Sequence, residues 1–275
     1  MEKETSIKEN TSNLKLSIQV RLNGLSFCTR DSSTGEITWY HKEEFNKEYN
    51  PVKILQHIED FYKKEKHLQE EVNEVVLLFS HDLYTFVPKE YFVEDEASNY
   101  LKFSTKILKT DVVAYDELEI NDLVNVYIPY TNITNFFFEK YGEFEYRHSS
   151  SLLVEEILET EETTGAKAFL NTYKDYYDLV IVKDKELLFC NTFTYETKED
   201  FIYYLLFTAE QLKLDPENLD LILLGNIHED SPLYKMLYTY IRKIRFLEVK
   251  TGSSAGQYSE AFIKREAFLL LKSLE

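Results

Sequence analysis

Residues 14–40 read LKLSIQVRLNGLSFCTRDSSTGEITWY, and residues 166–195 read AKAFLNTYKDYYDLVIVKDKELLFCNTFTY. Each stretch contains three apolar segments separated by short polar turns. In each half a helical stretch and a further apolar strand follow, NEVVLLFS at Asn73–Ser80 and LDLILLG at Leu219–Gly225. An order of three strands, a helix and a strand that occurs twice predicts an internal repeat, and therefore a mixed α/β sheet in each half.

Shorter patterns predict where the elements of the first half lie. Leu14–Leu22 alternates apolar and polar residues, which predicts a half-buried strand. Asn23-Gly24 is expected to supply the two positive-φ residues of a tight hairpin turn. Pro51 begins a helix with an apolar face that includes Ile54 and Ile58. The echoes Ser26–Thr29 and Leu188–Asn191 are interpreted as matching positions of the two repeats.

The domain organisation follows from the length of 275 residues, which favours two domains. We predict a first domain at residues 1–145 and a second at residues 146–275. Residues 84–120 are less regular, so they are interpreted as an insertion or a small subdomain, with a helix at 94–103. The acidic, threonine-rich segment 159–165 is the candidate linker.

Composition and charge limit the partners and the compartment. The net charge is −18, with 17 Lys/Arg and 32 Asp/Glu before residue 166 and 14 against 17 after it. Such an acidic surface repels nucleic acids and anionic membranes, so neither is expected as a partner. No secretory signal and no apolar run of about 20 residues is found, which predicts a cytoplasmic protein without membrane insertion. Cys28 and Cys190 lie in predicted strands and are interpreted as buried residues without a disulfide.

The layout of LSIQVRLNGLSFC, VVLLFSHDLYTFVPKEYF and DLVIVKDKELLFCNTF resembles the actin-like ATPase superfold. More narrowly, the chain resembles an uncharacterised bacterial family, domain of unknown function 3822, which is related in fold to pilus-assembly and division proteins. The resemblance covers the chain from Leu14 onward. It implies an α/β fold of two ribonuclease-H-like domains, whose mixed sheets are flanked by helices and face each other across a nucleotide cleft.

The resemblance also implies where Mg·ATP would bind, and this sequence departs from that pattern. Actin-like ATPases hold Mg·ATP with an Asp-x-Gly hairpin in each half, because the Asp organises metal-bound water and the glycines admit backbone N–H groups to the phosphates. Here the first hairpin offers Asn23-Gly24 without the Asp, and Asp184 lies in a Lys-Asp-Lys-Glu turn without the Gly. The Gly-Gly element that contacts adenosine is matched by Gly225 alone.

These departures favour a non-catalytic actin-like protein that acts through an unknown protein partner and needs no cofactor. The alternative is an ATP-binding or weakly hydrolysing protein that uses Mg·ATP, with Asn23, Gly24, Asp184 and Gly225 lining the cleft. A nuclease of ribonuclease-H topology would need clustered carboxylates. Gln19–Arg21 occupies the first-strand position instead, so this class is the least favoured.

Other polar clusters have simpler interpretations than catalysis or ligand binding. His81-Asp82 is interpreted as a turn, and the small-residue loop 250–256 as a connection rather than a phosphate cradle. Ser149–Ser151 is interpreted as the start of a helix. His228–Asp230 could bind a divalent cation, but it also suits a polar loop before a helix. The basic residues Arg242, Lys243, Arg245 and Lys250 suit a helix C-terminus.

Trp39, the single tryptophan, is the candidate interaction residue. It lies on the third predicted strand, which is a natural edge of the first sheet. An edge strand can accept a strand from a partner or from a second copy of the chain. The alternative is that Trp39 covers the core beneath the first hairpin.

Overall fold

The computed structural model describes residues 13–102, 105, 107–108, 111–160, 164–249 and 265–275. The strands, in chain order, are β1 (Leu14–Arg21), β2 (Gly24–Asp31), β3 (Ile37–Glu44), β4 (Glu74–Phe79), β5 (Tyr84–Pro88), β6 (Ala114–Leu118), β7 (Leu123–Tyr127), β8 (Glu145–His148), β9 (Ala166–Thr172), β10 (Tyr176–Lys183), β11 (Glu186–Thr194), β12 (Asp220–Gly225) and β13 (Lys243–Phe246). The α-helices are α1 (Pro51–Lys64), α2 (Ala97–Leu101), α3 (Thr131–Tyr141), α4 (Ser149–Thr160), α5 (Lys198–Gln211), α6 (Pro232–Tyr240) and α7 (Phe268–Lys272).

Two five-stranded sheets repeat the same order. The first is β3-β2-β1-β4-β8 and the second is β11-β10-β9-β12-β13. In each, the first three strands form an antiparallel meander and the remaining strands run parallel to the meander's first strand. β9 therefore corresponds to β1, β10 to β2 and β11 to β3, which confirms the predicted mixed α/β architecture.

The helices form three layers around the two sheets. α1 and α3 cover the outer face of the first sheet, whereas α5 and α6 cover the outer face of the second. α4 and α7 lie between the sheets, where their leucines share one core with residues such as Val76 and Val180. The two halves are therefore joined by a common apolar layer.

Helix starts follow local sequence signals. The Asn50 side chain accepts a hydrogen bond from the Lys53 backbone N–H at 2.9 Å, and Pro51 occupies the first turn of α1. Thr197 and Asp200 form a capping box at the start of α5. The predicted helix at Pro51 is confirmed, with Ile54 and Ile58 fully buried.

Two predictions about the first hairpin are wrong. The turn is formed by Leu22 and Asn23, while Gly24 is already paired with Arg21 in the ladder, and neither Asn23 nor Gly24 has a positive φ. β1 is buried on both faces rather than on one, because its polar face is covered by the second half and by α7.

The echo of sequence around the two cysteines is not an equivalence. Cys28 lies in the second strand of its meander, and Cys190 lies in the third strand of the other. Both cysteines are free thiols, Cys28 buried and Cys190 partly buried. Burial raises the pKa of both thiols to about 12, so they act as small apolar residues here.

The insertion is larger and more regular than predicted. β5, β6 and β7 form a separate antiparallel sheet in the order β5-β7-β6, so the subdomain continues to Tyr127. The helix predicted at 94–103 is shorter than expected, since a 3-10 turn at Glu94–Glu96 precedes α2, which spans Ala97–Leu101. The proposed boundary at residue 145 coincides with the start of β8, which pairs with β4 in the first sheet. The division into two domains stays a prediction.

Candidate functional site

The candidate site is the cleft where the ends of the central strands of both halves meet. β1 and β4 end at the same edge of the first sheet, and β9 and β12 end at the corresponding edge of the second. The β1–β2 turn and the β9–β10 turn face each other across this cleft. The Asn23 side chain donates a hydrogen bond to the Asp175 carboxylate, and Lys174 Nζ donates to the Phe45 carbonyl at 3.3 Å.

A buried hydrogen-bond network connects the halves beneath these turns. Gln19 Nε2 donates to Ser80 Oγ at 2.8 Å and to Tyr173 Oη at 3.0 Å. Asn171 Nδ2 donates to the same phenol oxygen at 3.0 Å. Because these groups are shielded from water, losing one partner would leave the others unsatisfied. The network therefore fixes the two halves against each other.

Arg21 fills the space between the two turns. Its side chain is 1% exposed, and its Nη2 lies 3.0 Å from Glu44 Oε1. Its guanidinium carbon lies 5.1 Å from the ring centre of Tyr173, which in turn stacks on Tyr176 at 4.4 Å. Burial disfavours the Arg21 charge, but Tyr176 and Glu44 outweigh this and raise its pKa. Arg21 is therefore a permanent cation whose Nη2 is paired with Glu44, while its Nε is buried without a hydrogen-bond partner.

The pKa of Glu44, the carboxylate paired with Arg21, is also set by burial on one side and nearby charges on the other. Burial works to raise the pKa of Glu44, but Arg21 and Lys42 lower it below its ordinary value. Lys42 Nζ lies 2.8 Å from Glu44 and also contacts Glu266 of the C-terminal segment. The ion pairs thus tie β1, β3 and the C-terminal segment together at the cleft.

Three of the four residues predicted to line the cleft lie at this edge of the sheets. Asn23 is 2% exposed. A Cβ atom on Gly24 would lie 2.6 Å from the Glu43 carbonyl oxygen, and one on Gly225 would lie 2.2 Å from the Thr172 carbonyl oxygen. Both glycines therefore pack directly against the backbone of a neighbouring strand.

Asp184 lies apart from the other three. It belongs to the β10–β11 turn, and Lys183 at that end of β10 is separated from Tyr176 at the cleft end by roughly 24 Å of extended chain. Asp184 Oδ1 accepts a hydrogen bond from the Gly165 N–H at 3.1 Å. Asn121 Nδ2 donates to the neighbouring Lys185 carbonyl at 2.8 Å, so this turn contacts the insertion.

Sequence reasoning missed the turn that takes the place expected of Asp184. The equivalent of the β1–β2 turn is the β9–β10 turn, Tyr173–Asp175, because β9 corresponds to β1. Matching the first hairpin of each repeat, RLNG against TYKD, would have found it. The conspicuous Lys-Asp-Lys-Glu turn drew attention to the second hairpin instead.

The space that remains in the cleft is small. A pocket of about 150 Å³ is lined by Arg21, Leu22, Asn23, Glu48, Ser80, His81, Asp82, Tyr176, Thr192 and Thr194. Typical ligand pockets measure about 300–1,000 Å³. The lining carries two carboxylates, Glu48 and Asp82, against the one guanidinium of Arg21. Burial, together with Asp175 and Asp82, raises the pKa of Glu48. Both its size and its charge disfavour a nucleoside triphosphate.

A second polar cluster is buried where the insertion meets α4. The Asp116 carboxylate accepts hydrogen bonds from the His148 backbone N–H at 2.9 Å and from Tyr127 Oη at 3.1 Å. Asn125 Nδ2 donates to Ser150 Oγ at 3.0 Å and to Ser151 Oγ at 2.8 Å. The serines thus begin α4, as predicted, and also anchor it to the third sheet.

The buried His148 and the half-buried His81 lie beside this cluster. The ring centres of His81 and His148 are 4.8 Å apart. Burial lowers the pKa of His81 to about 4, and burial together with His81 lowers that of His148 well below its ordinary range. His148 is 1% exposed, and its Nδ1 lies 2.6 Å from Ser150 Oγ at the start of α4.

Metal binding finds no support in the geometry. Within the part of the chain that the structure describes, no group of three or more His, Cys, Asp or Glu side chains is arranged to hold an ion. His228–Asp230 leads into α6, whose first turn is capped by Ser231. The small-residue loop at 250–256 lies outside the described residues.

Trp39 belongs to the outer core of the first half. Its ring is 7% exposed and stacks on His67 at 5.1 Å and on Phe61 at 6.4 Å. β3 is the end strand of its sheet. An interface through Trp39 stays a prediction, and with the indole buried it would use the backbone edge of β3.

Comparison with solved structures defines the class of protein. A Bacteroides thetaiotaomicron protein described as having an actin-like ATPase fold and unknown function aligns over 94% of this chain and 96% of its own, with TM-score 0.77 and 21% identity. The PilM–PilN type IV pilus biogenesis complex aligns over 94% and 96%, with TM-score 0.55 and 12% identity. EutJ, an ethanolamine utilization protein from Carboxydothermus hydrogenoformans, aligns over 94% and 90%, with TM-score 0.50 and 6% identity. The chain therefore has an actin-like ATPase fold.

The family is defined by sequence. Residues 3–244 match the family described as "Protein of unknown function (DUF3822)", and the chain belongs to this family. None of the curated proteins matches the chain. Among the described residues, no helix has both the length and the apolar character needed to cross a bilayer.

Proposed function

We propose that this protein is a non-catalytic member of the actin-like fold that acts through contacts with a partner protein. The observation that carries the proposal is the direct bond between the two cleft turns, from Asn23 to Asp175, with the bond from Gln19 of β1 to Tyr173 beneath it. In the actin-like ATPases that the sequence resembles, a hairpin turn of each half holds the phosphates. Here side chains of the protein itself occupy the space between the two cleft turns.

Electrostatics supports the same conclusion. Arg21 is the buried cation between the two turns, and its charge is already paired with Glu44. A phosphate would have to displace Glu44 and approach Glu48, Asp82 and Asp175 at the pocket. Like charges at such short range cost free energy in a partly desolvated site. No compensating metal ligands are arranged among the described residues.

A role in protein association is supported by one structural neighbour. One chain of the PilM–PilN type IV pilus biogenesis complex aligns with almost the whole of this chain, and that complex joins two different proteins. We transfer from it only the mode of action, association with a protein partner. An identity of 12% carries no information on which partner this chain binds.

Titration calorimetry with Mg·ATP tests the proposal. A ligand that binds the native state must stabilise it and raise its melting temperature. Because we propose that Mg·ATP does not bind, we expect no saturable heat and no rise in melting temperature at millimolar Mg·ATP. Asn23→Ala at the cleft and Asp184→Ala at the far end of β10 are the matched variants. Saturable binding to the wild type that Asn23→Ala weakens and Asp184→Ala leaves unchanged would instead support the alternative, an ATP-binding protein.

A further inference from the structure

The outer surface of α5 carries two large aromatic side chains that the fold leaves exposed. Tyr203 is 57% exposed and Phe207 is 46% exposed. Their ring centres are 5.8 Å apart, with the planes tilted by 17°, so they form a stacked pair on the helix surface. Residues four apart lie on the same helix face. Exposed aromatic pairs of this kind are enriched at interfaces.

The exposed aromatic pair contacts a series of further aromatic rings in the second half. Tyr203 packs against Tyr204 at 5.4 Å, and Tyr204 stacks on Phe193 of β11 at 4.9 Å. Phe193 stacks on Phe189 at 6.1 Å. Because Phe193 and Tyr204 are partly buried in the outer core, they hold the exposed pair in place. A partner would therefore meet a preorganised aromatic surface, which lowers the entropic cost of binding.

Two carboxylates bracket the aromatic pair. Glu199 precedes Tyr203 by four positions and Glu210 follows Phe207 by three, so all four residues lie along one face of α5. We call these four residues the α5 aromatic face. Glu199 lies 3.9 Å from Lys198, with both groups largely exposed, and such pairs contribute little. The face therefore places two exposed aromatic rings between negative charges.

We propose that the α5 aromatic face binds a basic segment of the partner protein, with arginine or lysine side chains over the rings of Tyr203 and Phe207. A cation over an aromatic face is attracted by the ring quadrupole, and Glu199 and Glu210 add charge complementarity. Arginine fits best, since its planar guanidinium stacks on a ring and bonds a carboxylate at once. This inference rests on the proposed function, because it names the surface and the chemistry of the partner.

Other occupants fit the charges less well. A second copy of the chain would place Glu199 and Glu210 of one molecule against those of the other, and like charges repel. Nucleic acids and anionic membranes are disfavoured by the net charge of −18.

Along β11 the Thr192 N–H already bonds the Asn191 side chain at 2.9 Å, and the Leu187 N–H bonds Asn121 at 3.3 Å. These bonds disfavour strand addition at that edge.

Fluorine NMR tests the proposal with a local probe. 3-Fluorotyrosine is placed at Tyr203 in one sample and at Tyr238 in another, since Tyr238 is also an exposed helix tyrosine of the second half, 62% exposed on α6. Each sample is titrated with an eight-residue peptide of alternating arginine and glycine, and separately with its glutamate counterpart. We expect a saturable shift at position 203 with the arginine peptide alone. Absence of that shift, or an equal shift at position 238, would overturn the proposal.

Charge variants separate the face from the overall acidity of the protein. Glu199→Gln with Glu210→Gln should weaken peptide binding at least about fivefold. Glu70→Gln with Glu90→Gln removes the same charge from exposed positions of the first half and should leave binding within about twofold. Equal effects of the two pairs would contradict the proposal.

The remaining controls show which of the two proposals, the docking surface or the proposed function, a negative result contradicts. If dilution of the free protein moves the resonance at position 203, the face binds a second copy and the proposal is wrong. If the arginine peptide causes no shift at position 203 and Mg·ATP does not bind either, the proposal for the α5 aromatic face is wrong and the proposed function stands. If Mg·ATP binds and the arginine peptide also shifts the resonance at position 203, the proposal that the cleft binds no nucleotide is wrong and the α5 aromatic face stands.

Discussion

Gly225 shows how a single residue can be required for packing at the cleft. It ends β12 with φ +74°, and the next residue, Asn226, donates its N–H to the Thr172 carbonyl at 2.7 Å. Any side chain would collide with Thr172, because a Cβ atom would lie 2.2 Å from its carbonyl oxygen and 2.7 Å from its nitrogen. Its glycine identity thus follows from the close contact of β12 with β9.

Gly225→Ala is therefore expected to destabilise the protein by about 2–4 kcal/mol, since the backbone of β9 or β12 must shift and the positive φ becomes strained. Gly165→Ala is the control. Gly165 has φ +75°, but a Cβ atom there would meet no other atom within 4 Å, so about 1–2 kcal/mol is expected. Urea unfolding of both variants measures the difference, and equal losses would contradict the packing argument.

Asp178 makes stability depend on pH. It is 4% exposed and accepts hydrogen bonds from Thr192 Oγ1 at 2.7 Å and from Asn171 Nδ2 at 3.3 Å. Burial raises its pKa to about 6 despite these bonds. The folded state then holds the proton more tightly than the unfolded state, so this group lowers stability as the pH rises from about 4 to about 6.

Asp178→Asn removes this effect. Relative to the wild type, the variant should gain about 1–3 kcal/mol of stability between pH 4 and pH 7, because the wild type must ionise a buried carboxyl over that range. Parallel urea titrations at pH 4, 5, 6 and 7 measure the difference. A difference that stays constant, or that grows toward low pH, would show that Asp178 does not ionise in this way.

At the scale of elements, the β10–β11 hairpin has a turn with unfavourable residues. Asp184 has φ +52° and Lys185 has φ +70°, which corresponds to a type I′ turn. Such turns favour Asn-Gly or Asp-Gly, because glycine adopts positive φ without steric cost. The Lys185 side chain is exposed, and its backbone carbonyl keeps the bond to Asn121 whatever the side chain is.

Lys185→Gly is expected to stabilise the protein by about 0.5–1 kcal/mol by relieving this strain. Lys183→Gly serves as the matched control, since Lys183 lies in the strand, where glycine costs about the same amount in the opposite direction. Thermal unfolding under identical conditions compares the two. Destabilisation by Lys185→Gly would mean that the lysine side chain makes a contact that matters more than the turn strain.

At the scale of the whole molecule, the central layer couples the halves. α4 packs against strands of both sheets and α7 packs on α4 and the first sheet, so residues of the first and second halves share one apolar core. The buried bond from Gln19 to Tyr173 and the contact of the Arg21 guanidinium with the Tyr173 ring, at 5.1 Å, reinforce this coupling. A shared core makes partial unfolding costly, because it would expose apolar surface of the remaining half.

The halves should therefore unfold in one transition. Trp39, the single tryptophan, reports on the first half, while circular dichroism reports on both. Leu205→Ala removes a fully buried side chain from the outer core of the second half and should cost about 2–5 kcal/mol. We expect it to lower the Trp39-detected midpoint as much as the midpoint seen by circular dichroism. A Trp39 midpoint that does not move would show that the halves unfold independently.

The sequence by itself determined the elements and their repetition. Alternating residues in β1, the continuous apolar run in β4 and the Asn50–Pro51 start of α1 are local signals, so strands and helices could be placed from short windows. The twice-repeated order then indicated the architecture, and the missing Asp-x-Gly hairpins indicated the altered cleft.

Only the tertiary structure decided which residues form that cleft. Gln19 and Arg21 occupy the polar positions of an alternating strand, which normally face solvent, yet both are buried because the second half covers them. Their contacts with Tyr173 join residues more than 150 positions apart in the chain. Local periodicity records which face of a strand a residue occupies, but it holds no information about what packs on that face. For the same reason the contact of Asp175 with Asn23 of the other half could be seen only once the two sheets were placed together.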